Sequence, residues 1–294
     1  MSVKDRDPLT GHQTTGHEWN GITELNTRVP RAVWFFIIVT HIWALVYWVL
    51  MPAWPMVNTY TRGLLGVDQQ DRVEQQVSAA NAVRADWTIP LATLGADEIR
   101  ADRVLMAHVA RTAPALFGDN CAACHGSNAA GGPGFPSLVD AAWLWSGDAD
   151  TIMETLRVGI NSPHPDTRYA QMLAFGEMDI LSRAEIRTVI DYVQSLSGLE
   201  TQAGADRLAE GATLFEENCA SCHGENAMGV QDIGAPNLTD ASWIYGGDDA
   251  SMFETIYAGR QGWMPAWEDR LTRADRMMLT LYIQDLAQET NDAD

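Results

Sequence analysis

A five-residue pattern, Cys-x-x-Cys-His, occurs twice in this chain of 294 residues and uses all four of its cysteines. The first copy reads CAACH at 121–125 and the second reads CASCH at 219–223. Similar sequence surrounds both copies, since ALFGDN precedes the first, TLFEEN precedes the second, and Trp143 and Trp243 follow at matching points. A period of about 100 residues is too long for a solenoid. It predicts a duplicated domain with one pattern in each duplicate.

Each duplicate has the apolar spacing of helices. Leu208, Ala212 and Phe215 are four and three positions apart, which places them on one helical face just before the second pattern. A closing helix is predicted in each duplicate from "RAEIRTVIDYVQSL" and "RADRMMLTLYIQDL", and loops rich in Gly, Pro and Asn lie between. No strand is predicted in either duplicate. The fold class is therefore mainly α, with domains so rich in loops that a large apolar group is expected to complete each core.

The pattern itself predicts that this group is a haem. Cys-x-x-Cys-His is a c-type haem attachment sequence, in which two thiols bond to the porphyrin edge and the adjacent histidine reaches the iron. A zinc site would need four converging ligands, a thioredoxin-like motif would need a βαβ context, and a disulfide in so short a loop would stabilise little. Two covalently bound haem c groups are therefore expected, attached through Cys121, Cys124, Cys219 and Cys222.

Each iron also needs two axial ligands. His125 and His223 supply the first, and methionines in later loops are expected to supply the second: Met172 in "RYAQMLAFG" and Met264 in "GWMPAW". Met178 and His164 are weaker candidates in the first duplicate. Because each duplicate carries both parts, we expect each methionine to serve the iron of its own domain.

Such an iron would be closed on both faces. Histidine–methionine ligation leaves no open position, and the thioether raises the reduction potential, which suits an electron carrier with no catalytic residues of its own. The nearby Pro136 and Pro236 lead to a second hypothesis, namely that a backbone carbonyl accepts a hydrogen bond from Nδ1 of each ligand histidine.

One segment is expected to cross a membrane. "AVWFFIIVTHIWALVYWVLM" at 32–51 has a single ionisable residue, His41, and is long enough to span the hydrocarbon core as a helix. It is longer than the apolar part of a signal peptide and lacks a small-residue cleavage site after it. Four basic residues precede it and only Arg62 follows closely, so the positive-inside rule predicts a cytoplasmic N-terminus. His41 is expected to contact a neighbouring helix rather than a cofactor.

The charge limits the class of partner. Lys and Arg total 19 and Asp and Glu total 39, so the net charge is −20. A nucleic-acid partner would need a basic face and is not expected. An acidic surface would steer a basic protein partner, although it also serves solubility.

These residues resemble a known family. Each duplicate resembles a class I cytochrome c, with Gly211 and Phe215 in the first helix, a "PNL" loop and Tyr282 in the closing helix. The first duplicate departs from this pattern with Ala113 in place of Gly211. The N-terminal "HEWNGITELNTRVPRAVW", the apolar segment and the two haem domains together resemble the diheme CcoP or FixP subunit of cbb3-type cytochrome c oxidases over essentially the whole chain.

The resemblance implies a bacterial inner-membrane subunit that passes electrons from a soluble or anchored periplasmic cytochrome c toward the catalytic haem–copper subunit and a monohaem subunit of a respiratory oxidase. The expected organisation is a cytoplasmic segment at 1–31, a transmembrane helix at 32–54, a periplasmic linker at 55–103 and cytochrome c domains at 104–200 and 201–294. The donor is expected to be basic.

Other functions remain open from sequence alone. The chain could serve another respiratory complex, such as a dehydrogenase or reductase, as a diheme carrier. A diheme peroxidase would need one iron with a displaceable ligand, and a haem sensor would need an output domain, which the sequence lacks. The haem potentials, the order of electron transfer and the identity of the donor are not fixed by the sequence.

Overall fold

Helices make up most of the described chain, which confirms the predicted fold class. The computed structural model describes residues 6–291, and its contacts divide the chain into a first unit that ends at Val83 and a second that begins at Arg84.

The first unit begins with a β-hairpin that the sequence analysis did not predict. Strands β1 (Thr14–Trp19) and β2 (Ile22–Leu25) pair antiparallel, with Trp19 opposite Ile22. The two residues between them, Asn20 and Gly21, both have positive φ angles. Asn-Gly is the preferred sequence for a two-residue hairpin turn of this kind, so the signal was present in the sequence.

The apolar segment forms one helix, α1 (Arg31–Leu50), as predicted. None of its residues is buried within the described structure, and its length and composition suffice to cross a membrane. A second helix, α2 (Gln69–Thr93), follows, and the boundary between the two units falls inside it.

The second unit contains both duplicates. Its remaining helices are α3 (Ala96–Ala101), α4 (Arg103–Asn120), α5 (Ala122–His125), α6 (Ala149–Val158), α7 (Arg183–Leu196), α8 (Ala205–Asn218), α9 (Ala220–His223), α10 (Asp249–Ala258) and α11 (Arg273–Asn291), with a short 3-10 helix at Gln231–Ile233. The sequence pattern predicted α4, α7, α8 and α11, the helices that open and close each duplicate.

The opening and closing helices pair between the duplicates. α4, which opens the first duplicate, packs against α11, which closes the second. α8, which opens the second, packs against α7, which closes the first. The helices before the methionine loops are exchanged in the same way, since α6 packs on α11 and α10 packs on α7. Each half of the second unit is thus built from both duplicates.

The same residue types make both helix crossings. In α8, the Phe215 ring lies 5.6 Å from that of Tyr192 in α7. In α4, the Phe117 ring lies 5.8 Å from that of Tyr282 in α11, edge to face. Arg207 of α8 also forms an ion pair with Asp191 of α7. Because equivalent helices carry equivalent residues, either pairing of helices would bury these side chains.

The short connection between α7 and α8 accounts for the observed pairing. Only residues 197–204 join these helices, whereas α4 and α7 lie more than 60 positions apart in the sequence. Consecutive helices joined by a short loop are usually spatial neighbours, and closing a short loop loses less chain entropy. With α7 and α8 paired, α4 and α11 remain to pair with each other.

The α7–α8 crossing depends on Gly211. A Cβ atom at this position would lie 2.6 Å from the carbonyl oxygen of Thr188 and 2.7 Å from the Cβ of Tyr192. We expect Gly211→Ala to lower the free energy of unfolding by about 2 kcal/mol, because the helices must separate to admit the methyl group. Chemical denaturation of the haem-loaded chain measures this.

Gly118→Ala in α4 is the matched control. A Cβ atom at Gly118 meets nothing within 4 Å, so the higher helix propensity of alanine should raise stability by at most about 1 kcal/mol. Equal effects of the two substitutions would contradict a close approach of α8 to α7.

Candidate functional site

Both Cys-x-x-Cys-His patterns form a single helical turn at the end of a longer helix. The N–H of Cys121 donates to the Phe117 carbonyl at 2.8 Å, and the N–H of Cys219 donates to the Phe215 carbonyl at the same distance. Each first cysteine therefore ends the opening helix and begins the turn. Cys124 is exposed, as is its counterpart in the second turn, so in each pattern one thiol lies inward and one lies at the surface.

The two histidines are held in one orientation. Nδ1 of His125 lies 3.0 Å from the Pro136 carbonyl oxygen, and Nδ1 of His223 lies 3.1 Å from that of Pro236. These distances confirm the predicted hydrogen bonds. Because a carbonyl oxygen can only accept, Nδ1 carries the proton and Nε2 keeps a free lone pair, as a metal ligand requires.

Burial favours the neutral forms of the histidine and of the first cysteine in both turns. It lowers the pKa of His125 and of His223, although the carbonyl hydrogen bonds partly oppose this. It also raises the pKa of the Cys121 and Cys219 thiols to about 11. At neutral pH the imidazoles are therefore neutral, and the thiols of Cys121 and Cys219 are protonated.

The zinc and disulfide alternatives concern the same four cysteines. All four cysteines are free rather than paired in disulfides. Within residues 6–291, no three His, Cys, Asp or Glu side chains come together as a zinc site would require.

A hydrophobic core cluster that contains Cys121, which we call the first pocket, is formed by both duplicates. Its members from the first duplicate include Phe117, Val139, Ile152 and Leu156. Its members from the second duplicate include Met264, Trp267, Leu271, Leu279 and Ile283. The loop after Met264 is fixed to α6 by a hydrogen bond of 2.9 Å from the Trp267 N–H to the Leu156 carbonyl.

A second hydrophobic core cluster, against which Cys219 packs and which we call the second pocket, is formed by both duplicates in the same way. Its members from the second duplicate include Phe215, Ala227, Leu238 and Met252. Its members from the first duplicate include Phe175, Leu181, Ile186, Val189, Ile190 and Val193. The loop after Met172 is fixed to α10 by a hydrogen bond of 3.0 Å from the Phe175 N–H to the Ile256 carbonyl.

The two methionine loops pack on the opposite duplicate rather than on their own. The sequence analysis assigned each methionine to its own duplicate, but Met264 packs in the pocket of Cys121. Met172 lies on the second duplicate in the same manner, since its backbone exchanges two hydrogen bonds with Arg260, at 2.8 and 3.1 Å. The reason is the helix pairing described above, because each methionine loop leads directly into the closing helix that follows it.

The weaker ligand candidates lie elsewhere. Met178 is 57% exposed. Nε2 of His164 lies 2.9 Å from the Glu268 carboxylate, so this ring is already occupied. Nδ1 of His41 lies 2.7 Å from the Ile37 carbonyl oxygen within α1.

Both pockets contain buried donors that have no partner in the described structure. Nε1 of Trp267 in the first pocket and Nε1 of Trp243 in the second are buried without a hydrogen bond, and so, outside the two pockets, are Nε of Arg168 and Nε of Arg276. Unpaired buried donors are uncommon because each costs free energy. A haem carries two propionate carboxylates that accept hydrogen bonds, so the donor set fits this group. Sequence reasoning did not identify these residues, although Trp243 belongs to the repeat.

Three family models match the chain. One described as the N-terminal domain of cytochrome oxidase-cbb3, FixP, matches residues 11–58. A cytochrome c model matches residues 110–197, and one described as cytochrome c oxidase, cbb3-type, subunit III, matches 206–283.

Curated relatives match over nearly the full length. Cbb3-type cytochrome c oxidase subunit FixP of Bradyrhizobium sp. (strain ORS 278) is 47% identical over 95% of this chain and 96% of its own. Subunit CcoP of Azospirillum sp. (strain B510) is 42% identical over 97% of this chain and 99% of its own. The chain belongs to the FixP/CcoP family. This membership confirms the resemblance drawn from the N-terminal segment and the two haem patterns.

The family models follow one another along the chain in the order of its parts. The family's N-terminal model covers the hairpin and α1, and the two cytochrome c models cover the two duplicates in sequence order. The exchange of helices therefore occurs between two cytochrome c domains that are continuous in sequence.

Proposed function

We propose that this FixP/CcoP protein is the electron-transfer subunit of a cbb3-type cytochrome c oxidase and carries two covalently bound haem c groups. The observation that carries the proposal is the pair of pockets. Each combines a Cys-x-x-Cys-His turn, a ligand histidine anchored through Nδ1 and a methionine loop. When bound, each haem supplies reversible one-electron chemistry.

The ligand pairs in this proposal cross between the duplicates. His125 and Met264 would hold the iron attached at Cys121 and Cys124, and Met264 packs in that pocket. His223 and Met172 would hold the iron attached at Cys219 and Cys222, by the equivalence of the Met172 loop.

Two protein ligands per iron favour electron transfer over oxygen chemistry. The carbonyls of Pro136 and Pro236 fix the two histidines, and the backbone pairing of each methionine loop fixes its methionine. A peroxidase would need one ligand that leaves easily, and both loops are tied to a neighbouring helix. The residues therefore support an electron carrier better than a haem enzyme.

Contacts between the two halves favour electron exchange between them. The Gly134 N–H donates to the Ile244 carbonyl at 2.8 Å, so the loop after the first haem turn touches the second duplicate. The Trp145 ring is so close to Gly234 that a Cβ atom there would lie 2.3 Å from it. These loops also contain Pro136 and Pro236, which support the two ligand histidines.

The helix α1 supports a single-pass membrane anchor. We infer a bacterial inner membrane with a cytoplasmic N-terminus and both haem pockets in the periplasm, from the basic residues that precede α1. The partners would be the haem–copper and monohaem subunits, together with a basic cytochrome c donor attracted by the net charge of −20. Nucleic acid is not a partner in this proposal.

The haem content can be tested on the purified chain. We expect its intact mass to exceed the polypeptide mass by two haems, and haem stain to remain after denaturing electrophoresis. A redox-titrated optical spectrum should then resolve two low-spin components, and carbon monoxide should bind neither reduced haem readily. A mass equal to the bare polypeptide, or ready binding of carbon monoxide, would overturn the proposal.

A further inference from the structure

The methionine loop of the first pocket contacts an insertion that only the first duplicate has. Residues 161–167, "NSPHPDT", have no counterpart in the second duplicate. Nε2 of His164 in this insertion lies 2.9 Å from the carboxylate of Glu268, four residues after Met264. Nδ2 of Asn161 donates to the Gly262 carbonyl at 2.7 Å, two residues before Met264. The insertion therefore holds the methionine loop on both sides of the ligand.

The backbone of Met264, which lies between these two contacts in the sequence, is also held. Met264 and Ile160 exchange two backbone hydrogen bonds, both of 2.9 Å. Ile160 directly precedes the insertion, so the backbone of Met264 is aligned by the same stretch of chain that contributes Asn161 and His164.

Arg157 of α6 ties this contact to the helix. Its guanidinium lies 2.8 Å from Glu154, 3.1 Å from Asp166 and 3.4 Å from Glu268. The hydrogen bond from His164 and the charge of Arg157 lower the pKa of Glu268, so its carboxylate stays ionised at neutral pH.

The insertion fixes the ring of His164 before it meets Glu268. The N–H of Asp166 donates to Nδ1 of His164 at 3.0 Å. Nδ1 is therefore the acceptor, and Nε2 carries the proton that it donates to Glu268. The side chain of His164 is only 14% exposed, which limits competition from water.

The other methionine loop is held differently. Tyr257 stands at the repeat position of Arg157, and Gly176 in the Met172 loop lies against the Tyr257 ring. Arg183 lies 4.5 Å above the same ring, and Phe253 stacks beside it at 5.5 Å. An aromatic surface thus stands where the Met264 loop has side-chain hydrogen bonds and ion pairs, while backbone hydrogen bonds hold both loops.

We propose that Asn161, His164, Arg157 and Glu268, which we call the polar clamp, are positioning residues that hold Met264 on the iron of the first pocket. This inference rests on the proposed ligation of that iron by Met264. Loosening the polar clamp would let an external ligand displace Met264, while Met172 would keep its place because its loop rests on the aromatic surface.

The test compares variants of His164, and of one control residue, in the full-length, haem-loaded chain. We expect His164→Ala to raise the affinity of one ferric haem for cyanide about fivefold, because it removes a hydrogen bond to a partly exposed carboxylate. The same variant should weaken the long-wavelength absorption band of methionine-ligated ferric haem. His164→Gln keeps a donor for Glu268 and should restore most of the parent affinity. Glu177→Gln, an exposed position in the Met172 loop, is the matched control and should change neither haem.

Met264→His shows which haem binds cyanide in the His164→Ala variant. It should shift the reduction potential of that same haem. The polar clamp is overturned if His164→Ala leaves cyanide affinity unchanged, raises it at both haems equally, or is not rescued by His164→Gln. If Met264→His shifts neither potential, the ligation itself fails, and this result is distinct from a failure of the polar clamp.

Discussion

Replacing either methionine by histidine lowers the reduction potential of one haem by on the order of 0.2 V, within the range of roughly 0.8 V that axial ligands span. The thioether sulfur favours the ferrous iron, and an imidazole in its place removes that preference. Met264→His and Met172→His should each move a different component of the redox titration. Covalent attachment through Cys121, Cys124, Cys219 and Cys222 should persist in both variants.

Electron transfer from the cytochrome c donor should also decrease in both histidine variants. A carrier whose potential drops below that of its donor accepts electrons less readily, so oxidase activity with a cytochrome c donor should decrease in both variants. Leu173→Met, which adds a second methionine next to Met172 at a 46% exposed position, is a control for the general effect of changing the loop. It should leave both potentials in place. Unchanged potentials in both histidine variants would contradict methionine ligation.

After cleavage of the chain between α7 and α8, the two fragments should remain associated. The connecting residues 198–200 are exposed, so a protease site placed there is accessible. After cleavage, the first fragment still contains α4 and α7 and the second contains α8 and α11, and each helix pair joins the two fragments. The fragments should therefore elute together under native conditions and keep both low-spin spectra.

Denaturing electrophoresis provides the control for this cut. It should separate two stained fragments, each with one covalent haem, because Cys121 lies before the cut and Cys219 after it. Two self-contained domains would instead separate under native conditions, each with an intact spectrum. That outcome would contradict the exchange of helices.

The sequence predicted the family and the helical fold class of this chain, but not the packing of its duplicates. The helical fold and the cytochrome c resemblance follow from local patterns, because Cys-x-x-Cys-His on one turn is typical of haem c attachment. The carbonyls of Pro136 and Pro236 could also be anticipated, and the distances to both histidines agree.

The sequence analysis missed the pairing of the duplicates, although the short connection between α7 and α8 was a signal for it. Phe117 and Phe215 occupy equivalent positions, and so do Tyr192 and Tyr282, so both pairings bury the same kinds of side chain. Only the lengths of the connections distinguish the two arrangements. The polar clamp was hidden for a related reason, because His164 and Glu268 lie more than 100 positions apart and meet only through the exchange.

A haem that carries a spectral label tests the crossed ligation most directly. Cys124→Ser leaves the first haem attached through Cys121 alone, and its unreacted vinyl group moves the absorption band of that haem to longer wavelength. Redox titration can then follow the labelled haem in combination with either methionine variant. The crossed arrangement predicts that Met264→His lowers the potential of the labelled haem and that Met172→His leaves it unchanged. The opposite pattern, with the labelled haem responding to Met172→His, would contradict it.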